Sequence, residues 1–125
     1  MKRKLILLYQ NTTKSKISRK WLEEFLNQLL LKYKISGMVE IGVSIVGERK
    51  IRNLNKKFRK IDKVTDVLSF PQKITPNLPY NLLGDIVICW SQLLKQSIRA
   101  GHSPKKELQL LLEHSLKHLI GIHHH

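Results

Sequence analysis

Cysteine, acidic side chains and long apolar runs are scarce in this chain of 125 residues, and each scarcity excludes something. Cys89 is the single cysteine, so no internal disulfide can form. Lying at the end of the apolar run "DIVIC", it reads as a small buried hydrophobe of a reducing compartment. The basic start "MKRK" is followed by only five apolar residues before polar punctuation, too short for a signal-peptide core and lacking a small-residue cleavage site. No run is long enough to span a bilayer. The expectation is a cytoplasmic protein without a membrane segment that begins on a β-strand. Acidic residues number 9 against 23 Lys and Arg, a formal net charge of +14. So basic a small domain attracts polyanions, because each neutralised phosphate releases condensed counterions. Lysine that merely coats a surface would give the same count, so charge alone does not fix the partner.

What is present is an ordinary globular composition, 42% hydrophobic, in a length that fits one domain over residues 1–125. No internal repeat, low-complexity stretch or linker interrupts it. "KLILLY" (4–9) reads as a buried strand. Ser18 can cap a helix in which Trp21, Leu22, Phe25, Leu26, Leu29 and Leu30 form one apolar face. Val39, Ile41, Val43 and Ile45 alternate on a strand over 39–47. Residues 48–58 place Ile51, Leu54 and Phe58 at helical spacing, with basic residues around them. "TDVLSFP" is a strand stopped by Pro71, and Pro76 and Pro79 make 72–81 a loop. "GDIVIC" is a buried strand and "WSQLLKQSIRA" a helix ended by Gly101. Ser103 and Pro104 then start the last helix as N-cap and first helical residue. The order βαβαββαα predicts an α+β fold, a mixed four-stranded sheet packed by four to five helices.

The last helix carries the chemistry. Leu108, Leu112, Leu116 and Leu119 make its aliphatic stripe, and Lys106, Gln109, Glu113 and Lys117 its polar strip, with Glu113 and Lys117 an i, i+4 pair. His114 and His118 belong to neither. They lie one turn apart on a third face, flanked by Leu110 and Leu111. Two imidazoles at i and i+4 can ligate one metal ion, as in zinc sites of the H-x-x-x-H kind. Gly121 can reverse the chain, and His124 three residues later then reaches the same ion. Three protein nitrogens leave the fourth tetrahedral position open, the catalytic rather than structural zinc pattern. A terminal histidine run is also what a purification tag leaves, and that reading of His123–His125 stands beside the ligand reading. Metzincin peptidases share this spacing but place a glutamate base after the first histidine. Here Ser115 stands there, and its hydroxyl cannot take a proton from a zinc-bound water at neutral pH.

Four segments in this order, "NKKFRKIDKVTDVLSFP" (55–71), "LGDIVIC" (83–89), "GHSPKKEL" (101–108) and "HSLKHLIGIHHH" (114–125), resemble the YbeY family of bacterial single-strand-specific endoribonucleases. The resemblance implies an α+β fold with one zinc ion held by His114, His118 and His124. It further implies a role in 3′-end maturation of 16S ribosomal RNA and in ribosome quality control, with the small ribosomal subunit as partner. Arg59 matches the family's functional arginine, a guanidinium able to fork onto two phosphate oxygens. Arg59 and His114 are thus the expected catalytic residues, and Lys56, Lys57, Lys60 and Lys63 the expected RNA-backbone contacts. Ser69 and Phe70 are expected to shape the edge of the cleft. The chain departs from the family pattern H-G-x-L-H-x-x-G-x-D-H at Ser115, where the pattern has Gly, and at His123, where it has Asp. That Asp is a carboxylate suited to orient a ligand imidazole. Its replacement keeps an alternative open: a non-catalytic RNA- or ribosome-binding assembly factor with a structural or vestigial metal site.

Overall fold

The computed structural model describes residues 4–72 and 80–121. Along the chain run β1 (Lys4–Asn11), α1 (Arg19–Lys32), β2 (Met38–Val46), α2 (Glu48–Arg59), β3 (Val67–Pro71), β4 (Tyr80–Cys89), α3 (Trp90–Ala100) and α4 (Pro104–Leu119). The α+β order is the expected one, with four helices among the described residues. The strands form one sheet in the order β1-β2-β4-β3. β1, β2 and β4 run parallel, and β3 lies antiparallel to β4 at the edge. Pro71, which has no N–H to donate, sits at the end of that edge strand, where a proline costs the sheet least.

Alternation along the strands sorts the side chains onto two faces. Val39, Ile41, Val43 and Ile45 of β2 and Ile86 and Ile88 of β4 face the main core, which α1, α3 and α4 close with Leu22, Leu26, Leu30, Leu93, Leu108, Leu112 and Leu116. Each fully buried leucine or isoleucine there contributes about 1.5–3 kcal/mol of transfer free energy. On the opposite face, Val46, Leu68, Val87 and Cys89 make a smaller cluster with Ile51 of α2. The cysteine is fully buried, as its apolar neighbourhood suggested.

Helix ends follow local chemistry. The Ser18 Oγ accepts the Trp21 N–H at 3.0 Å, and the Ser103 Oγ accepts the Lys106 N–H at 3.1 Å, each satisfying a donor the first helical turn leaves over. Gly101 ends α3 at φ 72°, in the left-handed region.

Three details differ from the expectation. β4 begins at Tyr80 rather than Gly84, because residues 80–82 pair with Met38–Glu40 of β2, a partnership no local pattern announces. The expected loop at 72–81 is therefore shorter, and its residues 73–79 lie outside the described ones. Phe58 does not join the apolar stripe of α2: it is 54% exposed. The buried residue of that turn is Asn55, whose Nδ2 donates to the Lys63 carbonyl at 3.0 Å while its own carbonyl accepts the Ile61 N–H at 3.3 Å. The side-chain amide thus gives the Lys63 carbonyl a donor that an apolar residue at 55 could not supply, while the Ile61 bond uses the main-chain carbonyl of residue 55.

One glycine governs how β3 meets α4. The β2–β4 register skips Leu83, with Glu40 opposite Leu82 and Ile41 opposite Gly84. Gly84 takes φ 135°, and a Cβ there would lie 2.3 Å from the Phe70 carbonyl oxygen and 3.0 Å from Leu119 Cδ2. Only glycine allows the bulged strand to bring the end of β3 this close beneath the end of α4.

Candidate active site

α4 packs against β3, and this contact assembles the site. His114 and His118 are both exposed, one turn apart on the same side of the helix, while Leu108, Leu112, Leu116 and Leu119 are turned into the core. Of the residues expected to flank the histidines, Leu111 is buried and Leu110 is exposed. The His118 Nδ1 lies 2.6 Å from the Ser69 Oγ on β3. From the other side of the sheet, the Arg59 Nη2 donates to the Ser69 carbonyl at 2.5 Å. The Arg59 guanidinium also lies over the Phe70 ring, 5.3 Å from its centroid, and Phe70 meets Phe58 edge-on at 5.4 Å. One N–H of Arg59 is used in this arrangement. The fork's remaining donors stay available to a ligand, and the side chain stands exposed. Arg59 and His118 thus meet at a single residue of β3, although 59 positions separate them in the chain.

Gly121 adopts φ 79° just past the end of α4, as required of a residue that turns the chain back. His124, the third expected ligand, lies outside the described residues. Among the described residues no group of three histidine, cysteine or carboxylate side chains could hold a metal ion. Two exposed imidazoles at i and i+4, one with its Nδ1 already engaged by a hydroxyl, are nevertheless a donor set that suits zinc.

Ser115 is 1% exposed, and its Oγ has no hydrogen-bond partner among the described residues. The hydroxyl is therefore turned inward, away from the histidine side, and cannot serve there as a base. Glu113, next to His114, anchors α4 to α1: its Oε2 accepts from Lys32 Nζ at 2.6 Å and from the Tyr33 hydroxyl at 2.5 Å. The Lys32 hydrogen bond, followed by that of Tyr33, holds the Glu113 carboxyl below its ordinary pKa of 4.5. Conversely, the same bond raises Lys32, and burial first, then the Glu113 bond, raises Tyr33. His102 bonds locally, Nε2 to the nearly buried Glu107 Oε1 at 2.6 Å, and so belongs to the α3–α4 turn rather than to the site.

The four lysines expected to hold RNA are all exposed. Lys56 lies 4.0 Å from Asp62, which Arg52 also binds at 2.8 Å, and that hydrogen bond lowers the Asp62 pKa. Lys57 lies over the Phe58 ring at 5.2 Å. Lys60 ends α2 in the left-handed conformation at φ 62°. Asp66 precedes β3, and its backbone carbonyl accepts the Cys89 N–H at 2.8 Å. Asp85 stands exposed in the middle of β4, its carboxylate lying over Gly42, where a Cβ would come within 2.1 Å of Oδ1. Trp21 and Trp90 are half-buried against the main core, Trp21 stacked on Phe25 at 5.7 Å.

Sequence reasoning missed the ties that span the fold: Asn55 under α2, and Lys32 and Tyr33 on Glu113. Asn55 carried a weak signal, a polar residue next to the apolar stripe position Leu54. The α1 residues carried none, since their partner lies 80 or more positions away.

With this geometry in hand, comparison with known proteins gives a concordant result. The profile of the family described as Endoribonuclease YbeY matches residues 7–125. A protein of that name from Finegoldia magna is 46% identical over 85 residues, which cover 68% of this chain and 56% of the relative. Another, from Aquifex aeolicus, is 38% identical over 122 residues, covering 98% of this chain and 77% of the relative. The solution structure of a Thermotoga maritima protein superposes with a TM-score of 0.67 at 28% identity, covering 96% of this chain and 75% of that one. Fold and relatives together define an α+β domain of nuclease kinship. The chain belongs to the endoribonuclease YbeY family.

Proposed function

We propose that this chain is a zinc-dependent endoribonuclease specific for single-stranded RNA, acting in 3′-end maturation of 16S ribosomal RNA and in ribosome quality control. Its partner would be the small ribosomal subunit in the cytoplasm. The observation that carries this reading is the meeting of Arg59 and His118 at Ser69, which joins at one residue a guanidinium able to bind phosphate and an imidazole able to ligate a metal. No helix among the described residues is long and apolar enough to cross a membrane, which accords with that setting.

His114, His118 and His124 would hold the ion. When bound, zinc supplies Lewis acidity toward a phosphoryl oxygen or lowers the pKa of a water. The protein's own residues bind and orient the substrate. Arg59 presents its free N–H donors to a phosphate and offsets charge that builds at phosphorus. Its bond to the Ser69 carbonyl and its stacking on Phe70 fix the guanidinium beforehand, so little side-chain entropy is lost on binding. Phe58, exposed beside it, offers a flat face to an unpaired base, which a duplex would keep stacked away. Lys56, Lys57, Lys60 and Lys63 supply positive charge along the strand's path.

Zinc-reconstituted protein should cut single-stranded RNA, and His114→Ala and Arg59→Glu should each lower the rate about a hundredfold or more. Cutting that persists in both variants would mark a contaminating nuclease and leave the non-catalytic assembly factor as the better account. The corresponding DNA strand identifies the nucleophile: without a 2′-hydroxyl, cleavage can proceed only through water.

A further inference from the structure

β3 turns alternate residues to opposite faces. Leu68 and Phe70 join the cluster under α2, whereas Val67 packs against the main core on the side of α4. Ser69 follows Val67 in this alternation, so its hydroxyl reaches α4 and lies 2.6 Å from the His118 Nδ1. Its carbonyl, directed along the sheet edge, takes the Arg59 N–H.

A neutral imidazole has one N–H and one lone pair, and only the nitrogen with the lone pair can ligate a metal. The neighbour at Nδ1 therefore decides which nitrogen is offered. If the serine O–H donated to Nδ1, the proton would sit on Nε2 and no lone pair would face outward. If the Nδ1–H donates to Oγ, Nε2 is left bare, and among the described residues Nε2 has no other partner. Ligand histidines generally donate their second N–H to an oxygen, which fixes the ring and raises its basicity. We propose that Ser69 is a positioning residue: its Oγ accepts the His118 Nδ1–H and so presents Nε2 to the ion. Through the same residue's carbonyl, it holds Arg59 at a set place relative to that ligand. This rests on the zinc reading above, and it identifies a serine outside the histidine motif as part of what makes the motif competent.

Two measurements test it. Long-range ¹H–¹⁵N NMR of the metal-free protein, at a pH above the imidazole titration range, reads the His118 tautomer directly. The Nδ1–H form is expected in the parent and in Ser69→Thr, and a return to the Nε2–H form preferred by free histidine in Ser69→Ala. Competition with a chromophoric chelator reads zinc affinity, expected to fall about 10- to 100-fold in Ser69→Ala and to recover in Ser69→Thr. An Nε2–H tautomer in the parent overturns the proposal without recourse to any variant. So does a Ser69→Ala protein that binds zinc as tightly as the parent. If the parent binds no zinc, the zinc reading falls, while an Nδ1–H tautomer still upholds the serine's hold on the ring.

Discussion

At the scale of single residues, neighbours on one helix have been given opposite tasks. His114 is exposed and Ser115 is buried, a consequence of the 100° step between them. The serine's burial explains why it cannot stand in for a glutamate base, and it carries a cost. A buried hydroxyl without a partner forfeits its hydration, about 1–3 kcal/mol, and serine is a poorer helix former than alanine by a few tenths of a kcal/mol. Ser115→Ala removes both penalties and leaves a space of one oxygen atom. Its expected effect is a gain of about 1 kcal/mol, read as a higher urea midpoint at unchanged m-value. Zinc affinity should not move, because the side chain does not face the histidines. A loss of stability would instead reveal a partner for the hydroxyl. The sequence marked Ser115 as a departure from the family pattern, but it could not show that the departure buries a hydroxyl with no partner among the described residues.

At the scale of elements, the course of α4 was legible before any coordinates. Ser103, Pro104 and the leucine stripe mark its start, its length and its buried side, since each is a short-range signal written within one or two turns. What holds α4 in place was not. An i, i+4 pair between Glu113 and Lys117 was the local expectation, and Lys117 does exert an attraction on that carboxyl, yet the hydrogen bonds of Glu113 go to Lys32 and Tyr33 of α1. Such partners come from packing, and local spacing carries no trace of them. Since the folded state lowers the Glu113 pKa, it favours the ionised carboxylate. The tie's contribution is therefore complete above the ordinary value of 4.5 and fades as pH falls through the folded-state value. Lys32 is well exposed, so solvent screening keeps the contribution small. Glu113→Gln should lower stability slightly at neutral pH, and the gap to the parent should close as pH falls through the lowered folded-state value. Urea titrations of the metal-free proteins across that range check this. A gap that stays constant with pH would show that the loss does not come from the carboxylate's charge, and no gap at any pH would show that the amide serves the α1 contact equally well.

For the molecule as a whole, the surplus of cations was the first legible feature, but its placement needed the fold. α2 carries Arg49, Lys50, Arg52, Lys56, Lys57 and Arg59 against the single acid Glu48, and the segment after it adds Lys60 and Lys63. The fold sets this basic stretch beside β3, whose Ser69 meets His118 on the far side, so the charge lies along the approach to the site rather than spread evenly. The acids within the stretch are already engaged. Ser91 and Lys95 bind Glu48, and both lower its pKa, the Ser91 hydrogen bond most; Arg52 binds Asp62. Lys56 gives part of its field to Asp62, while among the described residues Lys57 and Lys63 pair with no carboxylate. These two should carry more of the phosphate binding than Lys56. For single-stranded nucleic acid, log K falls against log salt with a slope of about −0.7 per neutralised phosphate. Replacing Lys57 and Lys63 together by Gln should therefore make the slope for a single-stranded oligouridine shallower by about 1.4. Lys56→Gln should change it by less than about 0.7. Fluorescence anisotropy across a salt series separates these values. A change of about 0.7 for Lys56→Gln beside about 1.4 for the double variant, equal per lysine, would mean that RNA meets the protein's overall charge rather than a path laid along α2 toward the histidines.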